Sequence, residues 1–166
     1  MKTTKKLLSV LLAVLLVCTM FTACKEDKLV IEEPDTNNQT SEPAEDNAKE
    51  KLVTKVSDIC IVVKTTQDSL EGKTDMLLID YMAQLKEQGE VDFTISDGMI
   101  TSINGVANPV DYSNCWMLYT SDEENANKAW GTVEYKGSEY GSALVGAEKL
   151  VIKPDQLYIW VYKSFS

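Results

Sequence analysis

Few side chains in this chain of 166 residues can do chemistry, and the absent types narrow the field first. Histidine is missing, which removes the commonest general base, the triads built on it and the commonest metal ligand. Arginine is missing too, and with it the planar fork that clamps phosphates and reads guanine. What remains beyond residue 23 is a set of thiols at Cys24, Cys60 and Cys115, a group of aromatics at Tyr112, Trp116, Trp130, Tyr135 and Tyr140, and the carboxylate run Asp122, Glu123, Glu124. A thiol can be acylated or oxidised to a disulfide, and a flat aromatic can stack on a planar ring or a sugar. The carboxylate run lacks the alternation of a calcium-binding loop, so a solvated acidic turn is expected there and no metal. No spacing marks a carboxylate pair or a lysine base, and the chain is expected not to be an enzyme.

Cys24 follows a segment with the layout of a secretory leader, residues 1–23: Lys2, Lys5 and Lys6, an apolar run over residues 7–17, and the small Ala23 just before the cysteine. The run is well short of the roughly 20 residues that span a bilayer. With Phe21 three residues before the cysteine and Ala23 immediately before it, the stretch Phe21-Thr22-Ala23-Cys24 resembles the lipobox of bacterial lipoproteins. The resemblance implies a diacylglycerol on the Cys24 thiol and a protein held on the extracellular face of the cell membrane. Each buried methylene contributes about 0.8 kcal/mol, so one acyl chain holds marginally and two or more hold firmly.

The full chain carries 16 basic and 26 acidic side chains, a net charge of −10. Loss of the leader removes three lysines and leaves a net charge of −13. So acidic a surface repels phosphate backbones, which excludes nucleic acid as a partner, and it has no basic cluster to draw the body onto anionic lipid.

The elements that must position these side chains follow in order. Residues 24–51 are rich in Lys, Glu, Asp, Asn, Thr and Pro, with only Leu29, Val30 and Ile31 as an apolar cluster. They read as a flexible tether with a reach of roughly 30 Å as a coil. Residues 52–166 read as one domain. A β-branched run at 59–63 predicts a buried strand. Thr74 and Asp75 can cap a helix of about four turns that Gly89 ends, with Leu78, Tyr81, Met82 and Leu85 on one face. From Val91 the period becomes two, with turns at Asp97-Gly98, Asn104-Gly105 and Lys136-Gly137. Residues 115–119 are apolar on both faces, as in a central strand, and 121–128 read as a polar loop. Short strands are expected at 150–152 and 157–162, the latter with Leu157, Ile159 and Val161 on one face and Tyr158, Trp160 and Tyr162 on the other. The fold class is α+β: one amphipathic helix packed on a mostly antiparallel sheet of about seven strands.

The order of strand, helix Leu77-Leu78-Ile79-Asp80-Tyr81-Met82, the stretch from Gly98 through Ile103-Asn104-Gly105-Val106, the strand Trp116-Met117-Leu118-Tyr119 and a closing strand is similar to the transcobalamin-like C-terminal domain family. The resemblance spans residues 56–163. It implies a β-grasp-like fold, and through the small β domains of the cobalamin carriers it implies a bound corrinoid.

Cys60 and Cys115, both on expected strands, are either a disulfide or a pair of reduced core thiols. Bonded, they would close a loop of about 55 residues, contributing roughly 4 kcal/mol on the chain-entropy account. Tyr112, Trp116, Trp130 and Tyr140 form either an aromatic platform for a ligand or core and rim packing. The function expected is capture of a small ligand at the cell surface, with cobalamin or another corrinoid as the candidate that the resemblance implies. The alternative is a non-enzymatic interaction module for a partner protein or a wall glycan. Mass spectrometry of the mature N-terminal peptide should find diacylglycerol on Cys24; an unmodified cysteine there would end the lipoprotein reading.

Overall fold

The computed structural model describes residues 29–31 and 50–165. Cys24, the leader and most of the expected tether lie outside the described residues. The elements are β1 (Leu29–Ile31), β2 (Val53–Ser57), β3 (Cys60–Lys64), α1 (Leu78–Glu87), β4 (Phe93–Ser96), β5 (Met99–Ile103), β6 (Val106–Ala107), β7 (Asn114–Thr120), a 3-10 turn (Glu123–Asn125), β8 (Ala126–Tyr135), β9 (Ser138–Ala143) and β10 (Leu157–Ser164). This is an α+β architecture with one α-helix and mostly antiparallel pairing among the described residues. No helix among them is long and apolar enough to cross a membrane.

The strands fall into two sheets. The larger runs β1-β8-β9-β7-β10-β3-β2, and β4-β5-β6 form a smaller one. The single sheet read from periodicity is thus divided, because the hairpin over residues 93–103 continues into β6 and not into β7. The tight turns are where the dipeptides place them. Asp97 and Gly98 have φ of 49° and 80°, Asn104 and Gly105 47° and 86°, Lys136 and Gly137 50° and 73°. Two successive left-handed residues match the twist of the flanking strands.

α1 buries the stripe Leu78, Tyr81, Met82 and Leu85. Each such side chain contributes about 2 kcal/mol on burial, whereas helix propensities differ by tenths, so packing places this helix. It is one turn shorter than expected, and its start is not capped by Thr74 or Asp75. Leu77 is the N-cap residue and gives no side-chain bond. The first free amides, of Leu78 and Ile79, instead donate to the carbonyls of Leu150 (2.8 Å) and Ala147 (3.1 Å). Residues 150–152, expected as a strand, therefore serve as a backbone cap, with one bridge from Val151 to Leu77. At the other end Glu90 donates to the Leu85 carbonyl and Gly89, with φ of 76°, to that of Lys86, a Schellman closure.

β10 shows the expected two faces. Tyr158 and Trp160 join α1, Phe93, Ile100 and Ile103 in the main core, while Ile159 and Val161 join Cys60, Val62, Tyr119, Val133 and Tyr135 on the reverse face. The apolar cluster of the tether is not wholly loose: β1 pairs in parallel with β8, Leu29 opposite Val133 and Ile31 opposite Tyr135, and Ile31 packs on the reverse-face cluster.

The acidic turn differs from its expectation at one residue. Glu123 is exposed, but Asp122 is buried, with 4% of its surface accessible. Its carboxylate accepts from the Glu124 amide (3.3 Å), from Asn125 Nδ2 (2.7 Å) and from Lys153 Nζ (2.9 Å), and Lys153 also meets Glu124 (2.6 Å). It is an N-cap and an ion pair that fastens the connection between β7 and β8 to residues 153–156. Burial alone would raise the Asp122 pKa, but the bonds from Asn125 and Lys153 outweigh it and hold the pKa below the usual carboxylate value. With the folded pKa depressed, the stabilisation is complete above about pH 4, the unfolded value, and is lost as pH falls through the folded one. Asp122→Ala should cost about 1–2 kcal/mol in urea unfolding at neutral pH. The gap to the parent should close on acidification below pH 4; a gap independent of pH would contradict the ion pair.

Candidate functional site

Between the two sheets lies a groove of about 300 Å³. One wall is the start of β5 with Asn108 and Tyr112, the other is residues 142–147, and the floor includes Leu118 and Trp160. Strand pairing explains why it is open. β9 pairs with β7 only at Tyr119↔Ser142 and Thr120↔Gly141, then turns away, with Leu144 donating to the Asn125 carbonyl (2.9 Å). Among the described residues, β7 ahead of Tyr119 is therefore flanked by β10 on one side and has no paired strand on the other.

That side of β7 is met by single side chains. The Trp116 amide donates to Asn108 Oδ1 (3.2 Å), while Asn108 Nδ2 donates to the Ile100 carbonyl (3.2 Å) and the Asn108 amide to that of Thr101 (2.7 Å). One carboxamide thus stands where a strand would. Trp116 Nε1 donates to the Val106 carbonyl (2.8 Å) and Tyr162 OH to that of Ala107 (2.9 Å), with the two rings 5.4 Å apart. These bonds hold the smaller sheet against the larger one and keep the groove from closing.

The four expected ligand-facing aromatics are not brought together. Tyr112 lines the groove and is 54% exposed, held in a turn with φ of 53° whose amide donates to the Pro109 carbonyl. Trp116 also lines it but is 5% exposed, and its ring and indole nitrogen are engaged in the core. Tyr140 packs on the opposite face with Val133 and Tyr119. Trp130, 62% exposed, sits in the irregular part of β8 between Asn127 and Thr132. That bulge crosses close over Gly141, where a Cβ would lie 3.0 Å from the Lys128 nitrogen. Sequence spacing missed Met99, Leu144 and Val145, which line the groove and are exposed. Their signal was an apolar run, Ala143-Leu144-Val145, at a strand end where a polar connection is usual.

Cys60 and Cys115 are both free, which decides the disulfide alternative against the bridge. Cys60 lies opposite Val161 and Cys115 opposite Lys163 of the intervening β10. Two strand spacings, about 9.5 Å, already exceed the Cα separation of about 7 Å that a disulfide tolerates. Burial pushes the Cys60 thiol up to about 12 and also raises Cys115, so neither is a thiolate nucleophile near neutral pH. Among the described residues, no group of three or more His, Cys, Asp or Glu is placed to hold a metal ion. Comparison with protein families, with curated proteins and with solved structures gave no match.

Proposed function

We propose that this chain is a cell-surface lipoprotein, anchored through Cys24, whose domain is β-grasp-like and captures a small ligand without catalysing a reaction. A corrinoid is the leading candidate, through the resemblance to the transcobalamin-like family. The observation that carries the reading is the apolar groove beside Tyr112, held open by Asn108 and Trp116. At about 300 Å³ it is at the small end of ligand sites, so it fits one edge or one face of a planar ring, with the rest of the ligand outside. Tyr112 supplies an exposed ring at the rim for stacking. A second reading, docking of a partner protein or wall glycan, is favoured by Trp130, which stands exposed on the β8 bulge and does not line the groove.

Titration of the full chain with cyanocobalamin, followed by visible absorbance and calorimetry, should show saturable binding. Tyr112→Ala should weaken it about tenfold, the worth of one good aromatic contact, and Trp130→Ala should leave it unchanged. Absence of binding at high micromolar cyanocobalamin would discard the corrinoid, and binding lost with Trp130 alone would favour the docking surface.

A further inference from the structure

The groove runs along the edge of a strand. Cys115, Trp116, Met117 and Leu118 all line it. Successive side chains of a strand point to opposite faces, and here Trp116 and Leu118 join the main core while Met117 packs on the reverse-face cluster. A cavity that touches four consecutive residues therefore lies where their main chain is.

The hydrogen bonds identify the main-chain groups that face it. Just beyond the two ends of β7, the Ser121 amide donates to the Leu157 carbonyl (3.0 Å) and the Ser113 carbonyl accepts from the Phe165 amide (2.8 Å). The odd-numbered residues between them thus turn N–H and C=O toward β10. The even-numbered ones turn theirs the other way, as the Trp116 amide does in donating to Asn108 Oδ1. On that side β9 pairs only as far as Tyr119↔Ser142, and Asn108 occupies the place next to the Trp116 amide. Between these two limits stand the Leu118 N–H and the Trp116 carbonyl, with no strand partner among the described residues. One donor and one acceptor, with one residue between them, are what a strand offers to a single residue of an antiparallel neighbour. Buried main-chain groups are nearly always paired, so an open pair beside a cavity points to an occupant.

The surroundings fit a neutral, apolar residue. No charged side chain lines the groove, in a chain of net charge −10, so an ionised group would give up hydration and meet no counter-charge. Met99 and Tyr112 on one wall, and Leu144 and Val145 on the other, are exposed apolar side chains. Beyond the leader, the tether has no such segment to spare. Leu29–Ile31 pairs with β8, and positions 25–28 and 32–49 hold no apolar side chain larger than alanine or proline.

We propose that the groove takes a short, uncharged, apolar peptide in extended form, one residue of which pairs antiparallel with β7. The carbonyl before that residue accepts from the Leu118 N–H, and the N–H after it donates to the Trp116 carbonyl. Main-chain bonds fix the peptide, and the apolar walls take its side chain. This rests on the reading of the groove as the binding site and does not depend on a corrinoid.

Two probes differ in one group: N-acetyl-leucine N-methylamide, and N-acetyl-leucine methyl ester, which has an oxygen in place of the second N–H. With the isotope-labelled full chain, the amide should move the methyl signals of Met99 and Leu144 and shift the Leu118 amide proton downfield. The ester should move the same signals but bind about tenfold more weakly, the difference of one hydrogen bond. If the methyls move while the Leu118 amide stays, or the two probes bind equally, the strand pairing is wrong while the groove remains a site. If the Leu118 amide moves on concentrating the protein alone, the occupant is a second copy and the peptide proposal is overturned. If neither probe moves a groove signal, the proposal falls, and the cyanocobalamin titration decides the groove separately.

Discussion

The structure depends on one carboxamide. Asn108 receives the Trp116 amide from the larger sheet and gives its own N–H to Ile100 of the smaller one, at 3.2 Å each. A β-strand at that place would satisfy both backbones but would fill the space between the sheets. A side chain satisfies the nearest amide and carbonyl and stops. The Trp116 indole and the Tyr162 hydroxyl repeat the arrangement on the carbonyls of Val106 and Ala107, so the two-residue strand β6 is held by side chains of the larger sheet. Without them a strand so short would have little to keep it.

Several features follow from that junction. The smaller sheet can place Phe93, Ile100 and Ile103 in the core with α1, while Met99 at its turn stays outside. The turn away of β9 after Ala143 leaves Leu144 and Val145 facing the same opening. The groove is thus made from the ends of elements, and its lining is apolar because those ends are the margins of a core. The acidic charge of the chain is carried elsewhere: Asp122 is spent on Lys153 and on the cap of the 3-10 turn, and the lining has none. Both cysteines act as core or part-core apolar groups, their thiols kept protonated by burial.

Much of the fold was legible because it is local. The left-handed pairs Asp97-Gly98, Asn104-Gly105 and Lys136-Gly137 announce their turns, and the two faces of β10 are written in its alternation. The stripe of α1 was equally plain, but its start was not, since the capping carbonyls of Leu150 and Ala147 lie some seventy residues away. Sheet membership is also non-local: nothing in the period of residues 93–103 says which strand they join. The candidate site suffered most. Spacing grouped Tyr112, Trp116, Trp130 and Tyr140 by proximity along the chain, yet the strand pleat sends Tyr140 to the reverse face and the β8 bulge sends Trp130 into solvent. The cysteines looked pairable because each sits on a strand, and the intervening β10 appears only once the strand order is known.

If the junction through Asn108 and Trp116 makes the two sheets one unit, they must open together. Native-state hydrogen exchange on the full chain tests this, by comparing the amides of Ser102 and Ile103 in β5 with those of Ile159 and Val161 in β10. The account predicts the same opening free energy for both sets, the global value. Exchange of the β5 amides through a separate, much easier opening while β10 stays protected would contradict it, for then the smaller sheet is a flap and no fixed groove exists.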